Sequence, residues 1–177
     1  TIDRSLLDYE LRVLTDPVPD MPGYAYLTPV PELASTAGAV VAINGYLWRG
    51  GDKKGAKGKY LSTTIVDDVT LAELPGPKRE TMLGIAKQDG SGIRLKKFTQ
   101  EQYEAGEFPE YRYHLLGSNT SLMTDGECLG DDRKDRWSAI GYSPDKVVLI
   151  SSDWASRAGV FLDTDLCAVF DEFGVTD

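Results

Sequence analysis

Arg136 and Asp153 are the residues whose types and setting most directly suggest chemistry, because an apolar hairpin separates them. Arg136 opens Arg136-Trp137-Ser138-Ala139-Ile140-Gly141, which passes through Tyr142-Ser143-Pro144-Asp145 into Lys146-Val147-Val148-Leu149-Ile150-Ser151-Ser152-Asp153. An arginine just before an apolar strand can grip a carboxylate or phosphate through two parallel hydrogen bonds. The bland alternative is a surface ion pair with the neighbouring Asp131, Asp132, Arg133, Lys134 and Asp135. A carboxylate that closes a buried strand is held for acid–base work, and the same position suits an ordinary loop or N-cap aspartate.

Asn44-Gly45 ends the apolar run Ala39-Val40-Val41-Ala42-Ile43. Such a dipeptide makes a turn readily, since both residues tolerate positive φ. A functional asparagine there would hydrogen-bond a sugar hydroxyl or a phosphate oxygen. The segment that follows carries Arg49, Lys53, Lys54, Lys57 and Lys59 against Asp52, with Gly50, Gly51, Gly55 and Gly58 between them. Glycine lets the backbone approach a ligand and lysine supplies mobile positive charge, a pairing suited to phosphate; a solvated hairpin tip has the same composition. No GxxxxGK[ST] motif occurs, so this is not a Walker loop. Trp48, Trp137 and Trp154 each adjoin a candidate polar residue, where an indole could stack on a sugar ring or pack in the core.

Other chemistries find little support. His114 is the only histidine, which excludes a histidine-rich metal site and leaves no convincing Ser-His-Asp arrangement. Cys128 and Cys167 lack CxxC spacing and cannot build a metal site alone; one disulfide or two separate thiols both fit. No metal ligand set is therefore assigned, no cofactor is identified, and no EF-hand spacing occurs. Asn119-Thr120-Ser121 is a formal glycosylation sequon. The formal net charge of -9 argues against nucleic acid or an anionic membrane as the main partner. No apolar run reaches the ~18 residues that span a bilayer.

The elements that must position these residues are mostly short strands. The 177 residues, 41% hydrophobic and 27% charged, suit one globular domain over 1–177. Tyr9 to Leu14 alternates as a half-buried strand does, and Pro17 to Gly23 breaks regular structure. Pro31 to Gly38 reads as one or two helical turns ending at glycine. Ala39 to Ile43 reads as a buried strand. Further strands are expected at Tyr60 to Val66, Thr81 to Lys87 and Gly92 to Phe98, the last two joined by a hairpin through Gln88-Asp89-Gly90-Ser91. Thr99 to Ala105, with Gln102 three residues after Thr99, reads as a capped short helix. Hairpins are expected around Thr124-Asp125-Gly126-Glu127 and around Pro144-Asp145. Leu162, Leu166, Val169, Phe170 and Phe173 then recur at helical spacing up to Gly174. Asp163 and Asp165 fit the start of that helix. The expected class is α+β, a mostly antiparallel or mixed β-sheet with a few short helices.

Taken in order, these segments resemble the phosphodiester glycosidase family. Ala42 to Tyr46 matches its Ala-Ile-Asn-Gly-aromatic segment. Arg136 with Ser138 to Gly141, then Val147 to Asp153, is similar to its Arg-Thr/Ser-Ala-Ile-Gly segment and the strand ending in aspartate, with Trp137 in place of a small residue or inserted. Gly117 to Glu127 resembles its Leu-Val-x-Asp-Gly segment, and Gly159 to Gly174 its final helix. The resemblance runs over roughly Tyr9 to Val175 and implies a phosphodiester-glycosidase-like fold. It also implies a carbohydrate-directed hydrolase that cleaves a sugar-phosphodiester bond. Asp153 and Arg136 would then be catalytic, with Asn44, Gly45, Lys53, Lys54 and Trp48 binding a sugar-phosphate or carbohydrate ligand. Asp125, Glu127 and Asp163 are candidates for a second carboxylate. Members of the family continue into an Asp-Gly-Gly-Gly-Ser segment after the helix. The resemblance thus implies that this segment lies beyond Asp177, comes from a partner chain, or is lacking in a non-catalytic relative. The alternative expectation is a non-catalytic binding or structural module of a viral or cell-surface assembly with the same fold. For either, an extracellular or virion-associated setting is expected over a cytoplasmic one.

Overall fold

A computed structural model describes the chain except for residues 6–7, 45–47, 51–54, 74–80, 118–119, 136 and 153–160, and for the side chains of 48–50 and 161. In chain order the first strands are β1 (Ile2–Asp3), β2 (Tyr24–Tyr26), β3 (Trp48–Gly50), β4 (Lys57–Tyr60), β5 (Thr64–Val66) and β6 (Val69–Ala72). They are followed by β7 (Thr81–Ile85), β8 (Leu95–Thr99), β9 (His114–Gly117), β10 (Met123–Thr124) and β11 (Glu127–Cys128). The last are β12 (Lys134–Asp135), β13 (Ser138–Tyr142), β14 (Lys146–Ser151) and β15 (Phe161–Leu162). The helices are α1 (Val30–Ala37), α2 (Gln100–Glu104) and α3 (Asp163–Glu172). All the ladders between these strands are antiparallel, so the class is α+β with mostly antiparallel sheets.

The chain groups into two compact units, Leu7–Thr120 and the combination of Thr1–Leu6 with Ser121–Asp177. In the first, the sheet β6-β5-β9-β7-β8 buries Ile65, Met82, Phe98 and Leu115 against Tyr103, Phe108 and Tyr111. The β7–β8 hairpin forms as expected, although its ladder closes at Ile85 and Leu95 and the loop between is longer than a tight turn. Asp89 organises that loop by accepting from the Ser91 N–H at 3.1 Å and from Arg94 at 2.9 Å. The capped helix is α2, where Thr99 and Gln102 satisfy each other's backbone N–H groups. A separate sheet, β2-β4-β3, packs Ala25 and Tyr60 against Ala72.

Two expected strands are not formed. Ala39 to Ile43 leaves α1 through a left-handed Gly38 (φ 64°), and Ala39 N–H closes the helix end on Ala34 O at 2.9 Å. Beyond it Val40 is 79% and Val41 58% exposed. Apolar composition made this run read as buried, but a strand needs a ladder partner, and among the described residues the run has none. Tyr9 to Leu14 keeps the expected alternation only in part, with Val13 buried and Glu10 and Arg12 exposed but Tyr9 48% exposed, and it too is irregular.

In the second unit β13 and β14 pair from Ser138↔Ser151 to Tyr142↔Val147, and β1 adds to the outer edge of β14. The hairpin turn is tied by Ser143 N–H to Lys146 O at 3.0 Å and by the Ser143 hydroxyl donating to Asp145 at 2.6 Å. Helix α3 lays Cys167 and Phe170 over Val148 and Met123, with Val175 closing the cluster. Gly141 is required at this contact, because a Cβ there would lie 2.6 Å from Val175 Cγ1 and 2.7 Å from Phe170 Cε1. Cys128 and Cys167 form a disulfide that fastens β11 to α3, which resolves the alternative of two thiols.

Candidate functional site

The hairpin β13–β14 continues one step beyond its ladder. Trp137 N–H donates to the Ser152 hydroxyl at 2.8 Å, and Ser152 N–H donates to Trp137 O at 2.8 Å. Both residues are buried. Arg136 and Asp153, the two residues expected to be catalytic, are the next residues in the chain after this pair and lie outside the described residues.

The strand leading to position 136 is held at several points. Lys134 and Asp135 of β12 pair with Leu162 and Phe161 of β15. The Arg133 guanidinium sits 4.7 Å from the centre of the Trp137 ring, a cation–π contact. Asp163, the first residue of α3, is buried and accepts from the N–H groups of Arg133 at 3.1 Å and Asp131 at 3.3 Å. Its own N–H returns a bond to Arg133 O at 3.1 Å, and Thr164 donates to Asp132 at 2.8 Å. Gly130 fits here because a Cβ would meet Asp163 Oδ1 at 3.0 Å.

This arrangement assigns Asp163 a structural role. Burial pushes its pKa up, but the backbone donors of Asp131, Thr164 and Arg133 outweigh burial and hold the carboxyl below its usual range. Asp163, one of the candidates for a second carboxylate, thus clasps α3 to the 130–135 loop. Asp125 and Glu127, the other candidates, are exposed at the β10–β11 turn, where Asp125 adopts φ 52°.

Asn44 belongs to the unit Leu7–Thr120 and is half-buried in irregular chain. Trp48 lies in β3 as the register partner of Tyr60. Gly45, Lys53 and Lys54 lie outside the described residues. Among the described residues no group of three or more His, Cys, Asp or Glu side chains could hold a metal ion. No helix among them is long and apolar enough to cross a membrane.

Sequence reasoning treated His114 only as a solitary histidine, but it is the centre of a polar cluster. It is fully buried in β9, and its Nδ1 accepts the Asp67 N–H at 3.1 Å. Nε2 lies 3.7 Å from Asp67 Oδ1 and has no hydrogen-bond partner among the described residues. Arg12 reaches both Asp67 carboxylate oxygens at 3.1 Å. Burial lowers the His114 pKa, Asp67 opposing and Arg12 assisting. The signal available beforehand was Asp67-Asp68, since only a tight turn accommodates their positive φ of 51° and 64°.

No protein-family model, no curated protein and no solved structure matches this chain.

Proposed function

We propose that the protein is a carbohydrate-directed hydrolase that cleaves the bond between a sugar and a phosphodiester-linked group. The observation that carries this reading is the reciprocal Trp137–Ser152 pairing. It makes the guanidinium-bearing and carboxylate-bearing positions neighbours, in chain terms, of one buried pair at the end of a packed hairpin.

In this reading Arg136 neutralises the phosphate, whose negative charge grows as the sugar–oxygen bond breaks. Asp153 serves as acid, base or stabiliser of the cationic sugar. Asn44 and Gly45 orient the sugar, Trp48 stacks against it, and Lys53 and Lys54 add charge toward the phosphate. Those roles rest on the resemblance of Ala42 to Tyr46 and of Arg136 to Asp153 to the phosphodiester glycosidases. The Cys128–Cys167 disulfide fits an oxidising, extracellular or virion-associated setting. The test is release of free sugar from a sugar-1-phosphodiester by the whole chain. Turnover above the spontaneous rate supports the reading, and its absence across a panel of sugars and leaving groups refutes it.

A second reading, a non-catalytic binding or structural module of a viral or cell-surface assembly, draws on the exposure of Val40 and Val41. Contiguous exposed apolar residues suit an interface. Replacing both with aspartate would abolish assembly if this reading holds. It would leave hydrolysis unchanged if the first does.

A further inference from the structure

Residues 9–14 form an irregular strap, and among the described residues no main-chain hydrogen bond involves residues 8–14. Fixed points return at Thr15, whose hydroxyl shares a 2.5 Å hydrogen bond with the Tyr60 hydroxyl, and at Asp16, whose carbonyl accepts the Tyr26 N–H at 2.7 Å. Before them the strap is held by burial of Val13 and by Arg12, which reaches both carboxylate oxygens of Asp67 at 3.1 Å. Asp67 lies in the turn between β5 and β6, and its backbone rests on His114, the chain's only histidine.

We propose that protonation of His114 lifts the β5–β6 turn and releases this strap, so that the imidazole is a proton-operated latch under the Arg12–Asp67 anchor. Nδ1 accepts the Asp67 N–H at 3.1 Å, which leaves the proton of the neutral ring on Nε2. A second proton enters only at Nδ1, where it turns an acceptor into a donor facing another donor. The ring is fully buried, so its charged form becomes hydrated only when the turn moves off it. The other ties of the turn are the Asp68 N–H, donated to Tyr113 O at 2.8 Å, and the pairing of Val66 with Val69.

Charges reach the ring from several elements. The strap brings Arg12 with Glu10 3.8 Å from it, and the turn brings Asp67 and Asp68. The Tyr113 ring lies 4.7 Å from that of His114, and Lys87 Nζ lies 5.6 Å from the Tyr113 ring centre. Asp67 Oδ1, 3.7 Å from Nε2, attracts a charged ring, but Tyr113 and Arg12 already hydrogen-bond that carboxylate. Burial prevails and keeps the His114 pKa below the ordinary 6.5, Arg12 assisting and Asp67 opposing. An imidazolium would compete with Arg12 for one carboxylate, which weakens the anchor as the turn lifts. The closed form refuses a proton that the open form binds, so the open population rises as pH falls below about 6.5. Every group involved lies in the unit Leu7–Thr120, and none is assigned to hydrolysis.

The experiment is NMR of the 15N-labelled whole chain titrated from pH 7.5 to 4.5. With one histidine, a single imidazole signal reports the protonation of His114 directly. The Asp67 amide reports the turn, heteronuclear NOEs of residues 9–14 report strap mobility, and the amides of β13 and β14 report global unfolding. The ratio of open to closed strap should rise about tenfold between pH 7.5 and 5.5. Its midpoint should coincide with that of the imidazole signal, while β13 and β14 stay unchanged. In His114→Gln, whose amide oxygen can still accept the Asp67 N–H, the strap should stay closed throughout. In Arg12→Gln it should be mobile at every pH while His114 still titrates. A strap that stays ordered to pH 4.5 would overturn the proposal, as would one that opens while the imidazole remains neutral or that opens only together with β13 and β14. Opening that persists in His114→Gln would do the same, and if that variant does not fold, the coincidence of the wild-type midpoints decides.

Discussion

At the residue scale, His114 is buried in β9 with its Nδ1 lone pair engaged by Asp67 N–H, so the fold selects its neutral form. Burial lowers its pKa from the ordinary 6.5. Below about pH 6.5 the unfolded chain binds a proton that the native chain refuses. Stability should therefore fall as pH drops from about 7 toward 5. Asp67, with its pKa lowered below 3.8 by Tyr113 and Arg12 despite burial, adds a loss only in a more acidic window. Urea midpoints at pH 7.5 and 5.5 measure this directly, and His114→Gln should flatten the difference. An identical slope in that variant would assign it elsewhere. Arg136 carries a sharper expectation. If it grips phosphate through two prongs, Arg136→Lys keeps the charge but loses the grip, and kcat should fall about 100-fold with the fold intact.

At the scale of elements, the close approach of β13 to α3 depends on Gly141. Gly141→Ala should destabilise the protein by about 1–3 kcal/mol, because the new Cβ would overlap Val175 and Phe170. A urea titration reads this, and a change under about 0.5 kcal/mol would mean that α3 can shift freely. The disulfide closes a separation of 39 residues, for which loop-closure entropy gives about 4 kcal/mol. Unfolding of Cys128→Ser with Cys167→Ala against the oxidised chain should reveal a loss of that order.

Much of this element list was legible in the sequence. The hairpins around Asp89, Asp125 and Pro144 and the helix stops at Gly38 and Gly174 follow from local turn chemistry, and α2 from its capping box. The misreadings at Ala39–Ile43 and Tyr9–Leu14 share one cause. A strand is completed by a partner far along the chain, and neither apolar content nor alternation says whether that partner exists. The Asp163 clasp was hidden for the same reason, since its donors lie thirty residues away at Asp131 and Arg133.

For the molecule as a whole, the charge balance narrows the ligands more than the fold does. An α+β chain with antiparallel sheets hosts many activities. The hydrolase reading rests on specific positions, and of these Asn44 and the backbone of Trp48 fall among the described residues while Arg136 and Asp153 lie outside them. The most direct test is the rate of sugar release from a sugar-1-phosphodiester by the wild-type chain and by Asp153→Asn, each shown to unfold at the same urea concentration. The account predicts turnover by the wild type and a loss of at least about 100-fold in the variant. Equal rates in the two proteins, or no release by the wild type, would contradict it.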